Sequence, residues 1–401
     1  MAESQYWKLY VVDSIRTFGL GYFAIIYVIA ALNVGMGALD IGILTTVSVV
    51  IGMGTTRIVE WLSSSVGPRS VFLLAGCLML VTGLVLFGVP GKVGIIITAL
   101  FGFLPPIGGQ FVAAAVEGCL AHAPVASRTK VFARYELLAT GAGAIGALAG
   151  VVPNWLGASQ AASIAVLSAV FGLLGLMVIL VSLSLPREPS VSSTRLVHDK
   201  EGPNTPIASQ GRANVRRLML LFIADSTGSG IVAPTLLVYW LHVYFHLSLP
   251  ELSGLYFAMD ILSAVSFPLA EYISRHIGLL NTAVFTHIPS SLLLVMVPFA
   301  PNAIVAISLL LGRALLVEMD VPTRKSYIAS IVPPELRAYA AYRTSMGSQA
   351  GKAIGPLVGG VVLSSVGNTV PFILGGAMKI SYDITLWLGF RRVARSDYRE
   401  R

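Results

Sequence analysis

Charge is scarce in this chain. Only 11% of its 401 residues are Asp, Glu, Lys or Arg, against about 25% in soluble domains. Hydrophobic residues make up 55%, and the mean hydropathy is +0.81. No water-soluble core needs that much apolar material. Cysteine is scarce too: Cys77 and Cys119 both fall in or beside apolar runs, so they form neither a disulfide framework nor a metal motif. The start, MAESQYWKLY, has an acidic residue and no small-residue cleavage site, and reads as an uncleaved first helix rather than a signal peptide. There is no P-loop, so nothing suggests ATP as the driving force. Without a nucleophile elbow or a zinc-protease motif, no enzyme and no cofactor are expected. The formal net charge of +8 does not point to nucleic acid, because the excess sits in loops beside apolar runs. The positive-inside rule puts it there.

What is present is run after run of about 20 nearly uncharged residues, the length that crosses about 30 Å of hydrocarbon. A β-barrel would show short alternating segments instead. The expected class is an all-α, polytopic membrane protein with twelve transmembrane helices near 9–31, 40–62, 70–90, 93–116, 131–152, 160–185, 216–243, 251–273, 279–299, 302–321, 338–365 and 370–391. The stretch between spans six and seven (PREPSVSSTRLVHDKEGPNTPIASQGRANVRR) has the composition of a flexible linker. The expected domains are therefore an N-terminal six-helix bundle (1–185), a linker (186–215) and a C-terminal six-helix bundle (216–401). One set of loops holds Arg69, Arg128, Lys130, the linker, Arg275, Arg324, Lys325, Arg337 and the basic tail; the opposite set contributes only Lys92. That asymmetry places both termini and the linker in the cytoplasm of a cell-membrane protein.

The chain also repeats itself. "EWLSSSVG" from Glu60 returns as "EYISRHIG" from Glu271, an offset of 211 residues. Asp13 and Ser14 match Asp225 and Ser226 at an offset of 212, and Arg128 and Arg134 match Arg337 and Arg343 at 209. The glycines Gly146 and Gly150 match Gly355 and Gly359, also at 209. Several pairs in one register argue for duplication, and six helices per copy make it a parallel repeat.

Two such halves, a cytoplasmic linker and three motifs resemble the major facilitator superfamily over essentially the whole chain. The loop after span two keeps Gly67 and Arg69 of the family pattern G-x-x-x-D-R-x-G-R-R, with serines where the pattern has Asp and Arg. "GKAIGPLVGG" in span eleven is similar to the family's G-x-x-x-G-P-x-x-G-G pattern, usual in span five of proton-driven exporters; here span five has "GAGAIGALAG" without the proline. "MDVPTRKSYIASIVPPELR" resembles the basic loop between spans ten and eleven. The resemblance implies a gate in which Glu60 pairs with Arg343 and Glu271 with Arg134 across the two halves.

Ionisable groups inside hydrocarbon cost at least about 2.5–3.5 kcal/mol on insertion scales and mark function by default. At about 1.5 Å per residue, Asp225 in span seven lies about 12 Å deep, Asp260 in span eight about 14 Å and Arg313 in span ten about 16 Å. These three are the expected polar centre, where a carboxylate balanced between burial and an Arg takes up and releases a proton. Asp13 and Arg16, spaced i, i+3, make either a local ion pair or a second proton or substrate site. G-x-x-x-G spacing at Gly351, Gly355 and Gly359, and at Gly146 and Gly150, allows close helix approach, and Pro356 favours a bend. Pro105, Pro106, Gly108 and Gly109 interrupt span four and point to a cavity. Lys379 and Asp383 are spaced as a local i, i+4 pair, Glu318 and Asp320 read as loop electrostatics, and Lys352 is unusual within its glycine ladder. His242 and His246 are spaced as metal ligands, but the surrounding aromatics favour an interfacial belt.

The expected function is a secondary active transporter working by alternating access, a monomer whose partners are a small-molecule substrate, a proton and the lipid bilayer. Export of an organic compound is favoured by the glycine-proline motif; uptake and metal-ion export are the alternatives. A non-transporting receptor on the same scaffold is the reading from another class.

Overall fold

The computed structural model describes residues 6–66, 68–89, 91–101, 103–104, 109–120, 125–185, 206–321, 323–324, 327, 332 and 336–397. Among these residues the chain is helical. In order the helices are α1 (Tyr6–Asn33), α2 (Ala38–Val66), α3 (Pro68–Gly88), α4 (Gly91–Ala99), α5 (Gln110–Leu120), α6 (Val125–Ala149), α7 (Val152–Trp155) and α8 (Gln160–Leu183). Then come α9 (Pro206–Ile231), α10 (Pro234–Phe245), α11 (Leu249–Ile277), α12 (Leu279–Met296), α13 (Ala303–Val317), α14 (Arg337–Ser365) and α15 (Val370–Asp397). Local chemistry sets the ends. Ser159 caps α8 by accepting from Ala162 N (3.3 Å), and Asn302 caps α13 by accepting from Val305 N (3.0 Å). Glu251 accepts from the Ser248 amide (2.7 Å) and hydroxyl (2.6 Å) at the start of α11, as a capping box does.

Among the described residues eight stretches are long and apolar enough to cross a membrane. One of them, Gly211–Phe245, takes in both α9 and α10, which part at Val232 and Ala233 just before Pro234. The expected fourth span is in two pieces, α4 and α5, with Gly109 at φ +65° before the second. Among the described residues the backbone is out of the helix at 100, 101, 103, 104 and 109, while Pro105, Pro106 and Gly108 lie outside the described residues. The apolar α13, at 15 residues, is shorter than these eight. Helices α14 and α15, at 29 and 28 residues, have the length for a crossing at about 1.5 Å per residue.

The helices group into two compact units, one of residues 1–193 with 233–261 and the other of 194–232 with 262–401. In the first, α1 packs on α6 and α8, α3 packs on α8, and α10 packs on α1 and α2. Close approach explains two of its glycines: a Cβ on Gly146 would run into the backbone of Phe18, and one on Gly150 into Ser253 Oγ. Buried hydroxyls join α2 to α10 through Thr45 and Thr235 (2.9 Å). In the second unit α9 packs on α14 and α15, and α12 packs on α13 and α15. A Cβ on Gly351 would stand 2.5 Å from Ile223 O and 2.7 Å from Thr227 N, while Gly355 lies against Gly230. Pro356 sits inside an unbroken α14. In the structure these glycines serve helix packing inside one unit.

Candidate functional site: a buried charge network

Inside the second unit, three helices and the segment after α13 bring six ionisable side chains together. Asp225 lies on α9, His287 on α12, Asp320 and Arg324 follow α13, and Lys379 and Asp383 lie on α15. Lys379 Nζ donates to Asp225 Oδ1 at 2.9 Å and to Ser229 Oγ at 2.6 Å. Arg324 Nη1 donates to Asp225 Oδ2 at 3.1 Å and to the Tyr382 hydroxyl at 3.3 Å, and stands 3.2 Å from Asp320 Oδ2. Its guanidinium lies over the Phe222 ring, 4.5 Å from the centroid. His287 Nδ1 is 2.8 Å from Asp383 Oδ2, and Nε2 is 3.9 Å from Asp225 Oδ1.

Burial gives these contacts their weight. Asp225, His287, Asp320, Lys379 and Asp383 are all buried. A charge taken out of water costs several kcal/mol and persists only with a partner in good geometry. Asp225 and Asp320 are set against Lys379 and Arg324, which leaves His287 and Asp383 as a second pair. Lys352 and Glu318 stand in the same electrostatic field. A proton shared by the second pair has two seats, the imidazole or the Asp383 carboxyl, 2.8 Å apart.

One side of the network is closed by an apolar cluster. Leu218 and Phe222 on α9, Leu280 and Val284 on α12, Tyr382, Leu386 and Phe390 on α15, and Tyr327 form one apolar cluster. On every helix these residues lie toward the end at which α9 leaves the linker. Tyr327 Oη donates to Phe390 O at 2.9 Å and ties the segment after α13 into the seal.

A model of the major facilitator superfamily matches residues 10–341. The chain belongs to the major facilitator superfamily. It is 22% identical over 364 residues to an uncharacterized membrane protein of Saccharomyces cerevisiae, with 82% of this chain and 81% of the yeast protein covered. Among solved structures it is similar to a POT family transporter in complex with a thioalcohol-conjugated peptide, with a TM-score of 0.73, 13% identity and 98% and 96% of the two chains covered. The nucleoside transporter NupG superposes with a TM-score of 0.69 at 11% identity, over 97% of this chain and 99% of that one. A D-xylose-proton symporter does so with a TM-score of 0.68 at 13% identity, over 95% and 97%. At such identities the likeness establishes the fold. This superfamily member is a membrane transporter by fold and family, not an enzyme.

The structure places the other expected site residues as follows. Asp260 is half-buried on α11 within the first unit, and Arg313 is half-buried on α13 within the second. Asp13 Oδ1 and Arg16 Nε form a buried ion pair at 2.7 Å on α1, with Tyr135 and Glu117 also in the field of Arg16. The local pair is thus made. Glu271 is exposed and bonds Arg275 one turn on, at 2.5 Å. Arg134 and Arg343 are exposed, and Arg343 stands 5.7 Å from the Tyr339 ring centroid. The Glu60 side chain lies outside the described residues. Gly359 is buried on α14.

Two expectations are corrected. Lys379 and Asp383 do not pair with each other; they turn to Asp225 and His287 respectively. Asp320 is not a loop charge but a buried partner of Arg324. Sequence reasoning passed over His287, although an ionisable residue in the apolar run "NTAVFTHIPSSLLLVM" was the available signal. Among the described residues no group of three or more His, Cys, Asp or Glu is placed to hold a metal. His242 Nδ1 instead lies 2.7 Å from Leu247 O, where α10 ends in the left-handed turn of His246.

Proposed function

We propose that this superfamily member is a proton-coupled secondary transporter of a small organic compound, working by alternating access, with the Asp225–His287–Asp383 network as its proton-handling centre. The observation that carries this is the buried His287–Asp383 contact at 2.8 Å, a pair that can hold or release a proton between its two members. Arg324 and Lys379 hold Asp225 by direct hydrogen bonds, apart from that pair. In this account Asp260 and Arg313, with Asp13 and Arg16, face the solute, and Glu60, Arg343, Glu271 and Arg134 act in gating.

The repeat supports the same reading. Each half opens with a helix bearing a buried Asp, α1 with Asp13 and α9 with Asp225, packed on a glycine-rich helix, α6 or α14. Twelve spans in two parallel six-helix copies, divided near 186–215, account for that pattern. The basic loops support a reading with both termini on the cytoplasmic face of the cell membrane. Export is favoured by the glycine-proline sequence at Gly355 and Pro356. Uptake with a proton is the second reading, favoured by the likeness to a D-xylose-proton symporter.

The test is reconstitution as monomers in proteoliposomes with an imposed pH gradient, offering nucleosides, sugars, peptides and organic cations from either side. Solute movement that follows the gradient, with a matching proton flux, supports the proposal. Movement indifferent to the gradient overturns proton coupling, and the side from which solute accumulates decides export against uptake.

A further inference from the structure

His287 stands between two unlike surroundings on its own helix. One and two turns toward the start of α12 lie Val284 and Leu280, both within the apolar seal. One turn the other way, at i+3 and i+4, lie Ser290 and Ser291 on the same face. Both serines are completely buried, and their hydroxyls hydrogen-bond to none of the described residues. They do not even turn back to their own helix, as Thr282 and Thr286 do.

A buried hydroxyl without a partner costs about 1–3 kcal/mol. Two in succession beside a buried imidazole require an explanation, and water is the ordinary one. The neighbouring surfaces have the same character. On α9 the turn after Asp225 presents Ser229, which accepts from Lys379. On α15, one turn before Lys379, lie Gly375 and Gly376; a Cβ on Gly376 would meet the Val295 side chain and come within 3.1 Å of Ser291 O. The side of the network away from the linker therefore carries small residues and hydroxyls among its apolar neighbours, whereas the linker side is apolar throughout. Beyond the serines, Leu294 and then Val297 come next on this face.

We propose that Ser290 and Ser291 hold water that exchanges protons with the His287–Asp383 pair, and that the pair is loaded from the side away from the linker. This rests on the proton-coupled reading above. The step is a simple transfer: a hydronium ion gives its proton to the pair and remains as water, and on release water takes the proton back. The groups that face His287 and set the balance are Asp225 from α9, Asp320 and Arg324 from the segment after α13, and Lys379, Tyr382 and Asp383 from α15.

The experiment follows the imidazole itself in the full chain, labelled with nitrogen-15 histidine in lipid nanodiscs, with His287→Gln assigning the resonance. Hydrogen exchange of the His287 ring is measured in the wild type, Ser290→Ala, Ser291→Ala, the double variant and Val284→Ala. Loss of the water slows exchange on the order of tenfold in the double variant, the scale of one net hydrogen bond, and Val284→Ala leaves it unchanged. Unchanged exchange in the serine variants together with a raised melting temperature means dry hydroxyls and overturns the proposal; the single variants keep that outcome readable if the double one folds poorly. Faster exchange in Val284→Ala alone means entry through the seal and also overturns it. Slowed exchange in a protein whose transport ignores a pH gradient upholds the water site and removes the coupling reading, so the two fail separately.

Discussion

Lys379 reaches across 154 positions of sequence to Asp225, Nζ to Oδ1 at 2.9 Å, and not to Asp383 one turn along its own helix. The two helices that carry them, α15 and α9, pack directly. Asp383 is thereby left to His287, and the cluster divides into a fixed pair and a titratable pair.

Lys379→Met leaves Asp225 buried with Arg324 as its remaining permanent cation. Removing one partner of a buried pair costs about 3–5 kcal/mol. Thermal unfolding in detergent should show that loss, and Asp225→Asn combined with Lys379→Met should recover much of it. Equal loss in the single and double variants would mean that the pair is not coupled.

Arg16→Met should behave alike in the first unit, because Asp13 is buried and its Oδ1 meets Arg16 Nε at 2.7 Å. The expected cost is again about 3–5 kcal/mol, reduced when Asp13→Asn is added. If both single changes are mild in stability yet abolish transport, the pair serves the solute rather than the fold.

Glu271→Gln tests the opposite limit. Its bond to Arg275 joins two side chains that are 67% and 73% exposed. Such pairs contribute about 0–1 kcal/mol, so unfolding should hardly change. A fall in transport rate at unaltered stability is expected if Glu271 gates.

Gly351→Ala should be severe, since its Cβ would meet the backbone at Ile223 O and Thr227 N, which cannot move aside as a side-chain tip can. Gly254→Ala on α11 meets nothing within 4 Å. It should instead stabilise its helix by about 0.5–1 kcal/mol. Expression level and thermal unfolding of the two variants, side by side, give the answer.

The helices were legible because each is a long apolar run, and the break in the fourth expected span was legible from its prolines and glycines. Asp225 was legible from depth alone. Its partners were not. Spacing on one helix joins Lys379 to Asp383, but the choice of partner is made by α9 and α12, which lie about 90 to 160 residues away in sequence. His287 carries no sequence pattern, only the cost of placing an imidazole among apolar side chains. Asp320 and Arg324 looked like loop charges because nothing in their composition tells that Arg324 turns in to Asp225, Tyr382 and the Phe222 ring.

The most direct test of the whole account is proton-driven transport by His287→Gln and Asp383→Asn in proteoliposomes, beside the wild type. The account predicts that each variant still folds and still exchanges solute across the membrane, but no longer accumulates it against a gradient when a pH difference is imposed. Accumulation at wild-type level in both variants would contradict it.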